Sequence, residues 1–374
     1  MKASDQSHAP SRRILSIDTL RGFDMLMISG AGSFIFLLHG KTHVAWVDAL
    51  ALQFEHPAWN GFTFYDFIFP LFLFLSGMSL PFSVNKSLDQ GCSRSQIYWK
   101  AFKRMLILVV LGILDKNAPT PYFDWSQIRF VGVLQRIGFA GFVVTLLYVN
   151  FNERIRAVWF AGLLLFYYAA MFLIPIPGYG SGDLSIEGNL HGWIDRHFLP
   201  GRLLQKIYDE NGIFTQIPAL CLTLLGTLAS DVLRKETISD QAKLRYMIIA
   251  GVLSVGIGLL WSIHFPINKH LWSSSFIMLT GGMALLSFAL LYWIIDILKY
   301  RKWTFFFVVI GMNSLTIYLA NRFIDFGYTS QLLFEGFYDA TPEQWHPVFQ
   351  SLGALLIVWL LMYILYRRKI FISI

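Results

Sequence analysis

His56, Trp59, Asn60 and Asp66 fall within eleven residues, in FEHPAWNGFTFYDF, just ahead of and inside an apolar stretch that runs to Ser83. Histidine titrates near neutral pH and can take a proton from an attacking group. A carboxylate beside it can fix its tautomer or stabilise its cation. An aspartate inside an apolar stretch is costly and usually faces a cavity, a partner or a substrate path. Alone, His56 would read as an interfacial residue packed beside Trp59; with Asn60 and Asp66 it reads as part of a functional cluster. Ten residues of helix would set His56 and Asp66 about 15 Å apart, less if the segment begins non-helically.

A second polar concentration is IRFVGVLQRIGFAG. Arg129 and Arg136 are seven apart, nearly on one helix face, with Gln135 beside the second. Two guanidiniums inside a membrane need anions. These are either the phosphates of a ligand, which an arginine fork matches, or a structural partner among Asp66, Asp18 and Asp115. PINKHLWSSS places Asn268, Lys269 and Trp272 at the entrance of a later apolar segment, and GMNSLTIYLANRF buries Asn313 and Asn321 in another. Hydrogen bonding between helices is the ordinary use of such asparagines and is the reading taken for Asn321. The Gly-rich segment 176–213 interleaves Tyr179 and Trp193, able to stack on sugar faces, with Asp183, Glu187, Asp195, Asp209 and Glu210, able to attract a cationic amine. A loop of this length is either functional or a solvated connection.

The elements that must position these residues are membrane helices. Of 374 residues 55% are hydrophobic and only 14% charged, against roughly 25% charged in soluble domains. Spans need about 20 apolar residues, and about ten transmembrane helices can be placed in this all-α polytopic chain: 22–39, 63–84, 102–116, 129–149, 155–175, 213–233, 246–265, 271–297, 303–323 and 347–366. Arg12, Arg13 and Arg21, Lys100, Lys103 and Arg104, Arg154 and Arg156, Lys235 and Arg245, Arg301 and Lys302, and Arg367 to Lys369 all fall on one side. The positive-inside rule therefore expects both termini in the cytoplasm. Residues 1–15 are then a cytoplasmic tail, and 40–62 and 176–213 are extracytoplasmic loops. The net charge of +7 is accounted for by a basic rim on anionic lipid and implies no nucleic acid. The two cysteines, Cys92 and Cys221, read as free thiols, and no metal-ligand spacing is present. No internal repeat is visible, and the His56 cluster lies at an outer mouth. Both features weigh against the competing reading, an amino-sugar permease without chemistry. The one glycosylation sequon, at Asn85, falls on the cytoplasmic side, which favours a bacterial inner membrane.

Eight segments in order, SIDTLRGFDM, HPAWNGFTFYDFIFPLFLFLSGMSLPFS, IRFVGVLQRIG, GWIDR, DENGIFTQIPALCLTLLGTLAS, PINKHLWSSSFIML, GMNSLTIYL and YRRKIFISI, resemble the heparan-alpha-glucosaminide N-acetyltransferase family across nearly the whole chain. With its first motif at Ser16, the chain is similar to the shorter bacterial members. The resemblance implies a single transmembrane acyltransferase domain over 1–374 that transfers acetyl from cytosolic acetyl-CoA to the amino group of a glucosamine residue across the membrane. The acceptor would be a glycosaminoglycan fragment or amino sugar, and the protein a homodimer. The family's catalytic histidine falls on His56 and its membrane aspartate on Asp66. Where animal members carry an asparagine in the preceding helix, this chain has Ser29, so no catalytic asparagine is carried over. On this reading His56 is the general base and Asp66 its orienter. Arg129, Gln135, Arg136 and Asn313 hold the acetyl donor, and Trp59, Asn60, Asn268 and Trp272 hold the acceptor. A covalent acetyl-histidine route is the alternative to direct transfer, which the reading prefers.

Overall fold

The computed structural model describes residues 14–118 and 124–371; of the expected tail of residues 1–15, residues 1–13 lie outside the described residues. These form helices joined by loops, with two isolated bridges, Arg129–Gly201 and Ile176–Gly180, as the extended pairings. In chain order the helices are α1 (Leu15–Leu26), α2 (Gly32–Phe36), α3 (Ala45–Leu52), α4 (Phe64–Asp89), α5 (Arg94–Asn117), α6 (Val133–Asn150), α7 (Glu153–Leu173) and α8 (Leu190–Phe198). After them come α9 (Gln216–Arg234), α10 (Asp240–Trp261), α11 (Ser274–Leu291), α12 (Thr304–Gly311), α13 (Ser314–Phe323), α14 (Phe326–Asp339) and α15 (His346–Arg367).

Among the described residues seven helices are long and apolar enough to cross a membrane: α4, α6, α7, α9, α10, α11 with its π-helical extension to Ile297, and α15 with the turn before it. The pair α12 and α13, bent by 69° at Met312–Asn313, makes an eighth if counted as one span. Two of the ten expected segments do not meet that standard. The first is broken: α1 passes through a π-turn, Met27–Ala31, in which Gly30 has φ 135°, before α2 begins. The third lies in α5, a helix longer than its apolar core because Arg94, Lys100, Lys103 and Arg104 occupy its first half and Asp115 and Lys116 its end.

Contacts between loops define two ends. At one, Trp59 Nε1 donates to Leu184 O, Asn268 Nδ2 to Asn60 Oδ1, and Arg129 to Asp209. At the other, Asn85 and Arg234 donate to the Tyr148 hydroxyl, Lys235 to Glu153, and Tyr292 to Asp240. The first is called the His56 end and the second the basic end. α4 is central and packs on α1, α6, α9 and α11. Its crossing with α9 is close because small residues allow it: a Cβ on Gly77 would stand 2.0 Å from Thr223 O, and one on Gly226 2.1 Å from Phe74 O. In a bilayer, where apolar side chains gain little by leaving lipid, such close backbone packing is a main source of helix association.

Candidate functional site

Asp66 sits in the first turn of α4, where the unpaired N–H groups and helix dipole favour an anion. Its Oδ2 accepts Thr63 N at 3.0 Å and Thr63 Oγ1 at 3.3 Å. Its Oδ1 faces His56 Nδ1 at 2.6 Å. The segment from Gln53 to Thr63 is not helical, so it folds back over the start of α4 and closes the spacing that a continuous helix would have opened. Gln53 anchors the return: its Oε1 accepts Phe64 N, and its carbonyl accepts Tyr65 N. A carboxylate only accepts, so Nδ1 carries the proton and the Nε2 lone pair is left for chemistry. The Asp66 side chain is fully buried, while that of His56 is 40% exposed. Tyr65 stacks on the imidazole with centroids 5.1 Å apart and also packs on Gly32 at the start of α2.

The turn 266–273 forms the other wall. Lys269 Nζ lies 3.0 Å from His56 Nε2, 3.2 Å from Nδ1 and 3.5 Å from Asp66 Oδ1. Next to it His270 Nδ1 is 3.1 Å from Glu210 Oε1, and its ring stacks on Trp59 at 5.4 Å. Burial opposes ionisation of Glu210, but the hydrogen bond from His270 and the charges of Lys269, His270 and His56 outweigh it and hold the carboxyl down at about 2. Asn268 donates to Asn60 Oδ1, which leaves the exposed amide nitrogen of Asn60 to serve as a donor. His56, Trp59, Asn60 and Asp66 therefore come together as their spacing suggested, and Asn268, 208 residues from Asn60, joins them. Trp272 does not: it is 1% exposed, lies in the core against Phe69 and Phe276, and carries the Arg136 guanidinium on its face at 4.2 Å.

The residues expected to hold an acetyl donor bond elsewhere, although Arg136 Nε and Nη1 and Gln135 Oε1 are buried without a hydrogen-bond partner. Arg129 makes a buried fork with Asp209 at 2.6 and 2.7 Å, so its partner is none of Asp66, Asp18 and Asp115. Arg136 donates to Glu210 O and Thr215 Oγ1 beneath the same loop. Gln135 donates to Phe130 O and packs on Gly112, and Asn313 Nδ2 donates to Ile370 O. Segment 176–213 is thus a folded cap: Asp195 and Asp209 are fully buried, Asp195 accepts Asp209 N and Ile213 N, and α8 contributes Asp195 and His191 to the interior. Burial pushes Asp195 up to about 7 and His191 down to about 3. Of the five loop acids, Glu210 is the one that reaches the site.

From the basic end a cleft enters the bundle between α1, α4, α5, α6 and the α12–α13 bend. Its outer part, about 460 Å³, is lined by Gln96, Lys100, Lys103, Arg104, Ser87 and Thr145. Its inner part, about 290 Å³, is lined by Arg21, Phe69, Ser76, Arg104, Leu134 and Tyr318. The two share Ser76, Leu80, Ser83, Arg104 and Ile137. None of Arg129, Gln135, Arg136 and Asn313 lines either part. The inner wall at Phe69 stands one turn along α4 from Asp66, about 5 Å. Its chemistry suits a polyanion with an apolar arm: cations at the mouth, then aromatic and aliphatic walls. Among the described residues no group of His, Cys, Asp and Glu has the arrangement of a metal site.

Lys269, noted beside Asn268 at the entrance of its apolar segment but given no role, and His270 and the stacking Tyr65, not noted at all, complete the site; the first two lie 213 and 214 residues from His56. Their signal was adjacency to Asn268 within one polar turn ahead of an apolar run. Ser29 sits in the π-turn and donates to Met25 O at 2.6 Å, an intrahelical bond.

Residues 13–158 match a family model described as a domain of unknown function, DUF5009. The chain is 27% identical, over 96% of its length, to heparan-alpha-glucosaminide N-acetyltransferase of Homo sapiens, and 26% identical over 96% to the Mus musculus protein of the same name. It spans 59% and 60% of the length of these relatives. The resemblance carried by the eight sequence segments is thus met along the chain as a whole.

Proposed function

We propose that the chain is a transmembrane acetyltransferase, a single domain that moves the acetyl group of acetyl-CoA to the amino group of a glucosamine-containing sugar. The observation that carries this reading is the convergence on α4: the His56–Asp66 pair at one end and the inner wall of the basic cleft, at Phe69, lie one helical turn apart along it. The names of the similar human and mouse proteins support the same chemistry. In the proposal α1–α2 and α5 also span the bilayer, giving ten spans. Both termini and the basic end then face the cytoplasm of a bacterial inner membrane, and the sugar is met on the far side. The homodimer implied by the resemblance is part of the same reading.

Acetyl-CoA supplies an activated thioester. Lys100, Lys103, Arg104 and Arg21 are the residues suited to its phosphates, a role moved from Arg129 and Arg136. At the His56 end, Glu210 and Trp59 offer the acceptor an anion for its ammonium and an aromatic edge, and Asn60 offers an amide donor for a hydroxyl. His56 Nε2 takes the proton that the amine must lose. Asp66 holds the proton on Nδ1 and stabilises the imidazolium that results. Transfer is direct, because an oriented amine beside a free Nε2 needs no covalent stage. The test uses the purified protein in proteoliposomes with labelled acetyl-CoA and glucosamine: labelled N-acetylglucosamine with stoichiometric free thiol supports the reading. Uptake of unmodified glucosamine without thiol release would establish the permease, and label held on the protein until sugar is added would establish the acetyl-enzyme route.

A further inference from the structure

The turn 266–273 is built more firmly than a connection between two spans requires. Asn268 Oδ1 accepts Leu271 N at 2.8 Å, while Ser273 Oγ accepts Asn268 N at 3.2 Å and donates to Pro266 O at 2.8 Å. Ser275 Oγ donates to Phe265 O at 2.6 Å. Trp272 takes φ 51°, an unfavourable conformation for a bulky side chain, and its ring is locked in the core. Two contacts fix the turn to the His56 loop, Asn268 Nδ2 to Asn60 Oδ1 and Gly61 N to Ile267 O, both 3.0 Å.

What this framework delivers is the Lys269 ammonium. The two imidazole nitrogens flank a single carbon, and the Nδ1–H and the Nε2 lone pair lie in the ring plane and point away from each other. A group 3.0 Å from Nε2 and 3.2 Å from Nδ1 therefore stands over the ring face, on the line of neither the Nδ1–H nor the Nε2 lone pair. Lys269 does not block the base; it sets a positive charge beside the place where an amine on Nε2 must dock. Asp66 does not use up its donors. Both carboxylate oxygens already accept shorter bonds from His56 and Thr63, and the ammonium is 3.5 Å from Oδ1. An ammonium has three donors, and the Lys269 side chain is only 14% exposed, so its charge is weakly screened.

We propose that Lys269 is a further catalytic residue of the transfer assigned above, on which this inference rests: its ammonium stabilises the negative charge that develops on the acetyl carbonyl oxygen. The amine lone pair forms the new N–C bond while the carbonyl π pair moves to oxygen, which accepts from Lys269 Nζ, and His56 Nε2 takes the proton that the amine gives up. When that pair returns, the C–S bond breaks with its electrons on sulfur, and the thiolate receives the proton held by His56. Preorganised donors of this kind are among the largest single contributions to catalysis of acyl transfer.

The experiment compares wild type with Lys269→Met and Lys269→Arg in nanodiscs, with Lys269→Gln as a second neutral variant should Lys269→Met melt early. Expected for either neutral variant is a loss in kcat of about 10²–10³-fold with both KM values within threefold of wild type, partly recovered by arginine. A CoA analogue with a charged phosphonate in place of the acetyl carbonyl, whose binding needs no turnover, should bind the neutral variants about 10²-fold more weakly, while CoA itself binds equally. Neutral variants with full kcat and unchanged analogue binding would reduce Lys269 to a counter-ion of Asp66 while leaving the acetyltransferase reading intact. A wild type that transfers no acetyl would overturn that reading and this inference with it.

Discussion

Asp66→Asn perturbs the base without altering side-chain size. In the wild type the two carboxylate oxygens serve different donors, Oδ1 the His56 ring at 2.6 Å and Oδ2 Thr63 N at 3.0 Å. An amide has one oxygen, so one of these donors must face an NH₂ group. If the amide oxygen stays on His56, the loss is that of a hydrogen bond to a charged acceptor, about 1.5–3 kcal/mol. At about 1.36 kcal/mol per decade that is roughly 10- to 150-fold in rate. If the NH₂ faces His56, Nδ1 must accept, the proton moves to Nε2, and the base is blocked; in the serine-protease triad the same change costs about 10⁴ in kcat. The expected fall in kcat/KM for the acceptor is therefore between about 10-fold and about 10⁴-fold, with acetyl-CoA binding unchanged by calorimetry. Activity within threefold of wild type, in a variant that melts normally, would refute the assignment of His56 as base and Asp66 as its orienter.

Three further outcomes follow from the same geometry. Asp209→Asn leaves the buried Arg129 without its counter-charge and should cost about 3–5 kcal/mol of stability, seen as a lowered melting temperature in detergent; a shift equivalent to under about 1 kcal/mol would contradict the reading of that fork as structural. Asp195 titrates higher when folded, at about 7, than the unfolded value of about 3.9. Asp195 thus holds its proton in the folded state between these values, and its own contribution to stability falls as pH rises from about 4 to about 7, opposing the rise that His191, buried neutral, contributes over nearly the same window. Asp195→Asn removes the falling contribution, so its melting temperature should rise more steeply with pH across the window than that of wild type, and an unchanged dependence would contradict the protonated, buried Asp195. Arg104→Ala should weaken acetyl-CoA binding about tenfold, the worth of one charge-assisted contact, and leave the glucosamine KM unchanged. A loss confined to the sugar would show that the cleft is not the donor site.

The helical membrane class was legible because apolar runs of span length admit little else, and the His56 cluster because its members lie within eleven residues. The breaks were not. Gly30 at φ 135° and the 69° bend at Asn313 interrupt runs whose composition is continuous, and α5 extends past its apolar stretch because its charges line a cleft rather than lipid. Arg129 and Arg136 show the limit of reading a face by spacing. The pattern placed two cations together, but their partners Asp209 and Thr215 lie about eighty residues away in a segment whose folding nothing local announces. Trp272 misled for a related reason: it adjoins the polar turn in sequence, yet the turn's positive φ sends its ring into the core. Lys269 was named at the entrance of its segment, but its place beside His56, 213 residues away, could not be read from the sequence.

The most direct measurement is acetyl transfer by purified wild type and His56→Ala in nanodiscs, following free CoA thiol and labelled N-acetylglucosamine together. If His56 is the base, wild type yields stoichiometric thiol and labelled sugar, and His56→Ala yields neither above background, although that variant melts normally and still binds acetyl-CoA. Turnover by His56→Ala at close to the wild-type rate would contradict that role.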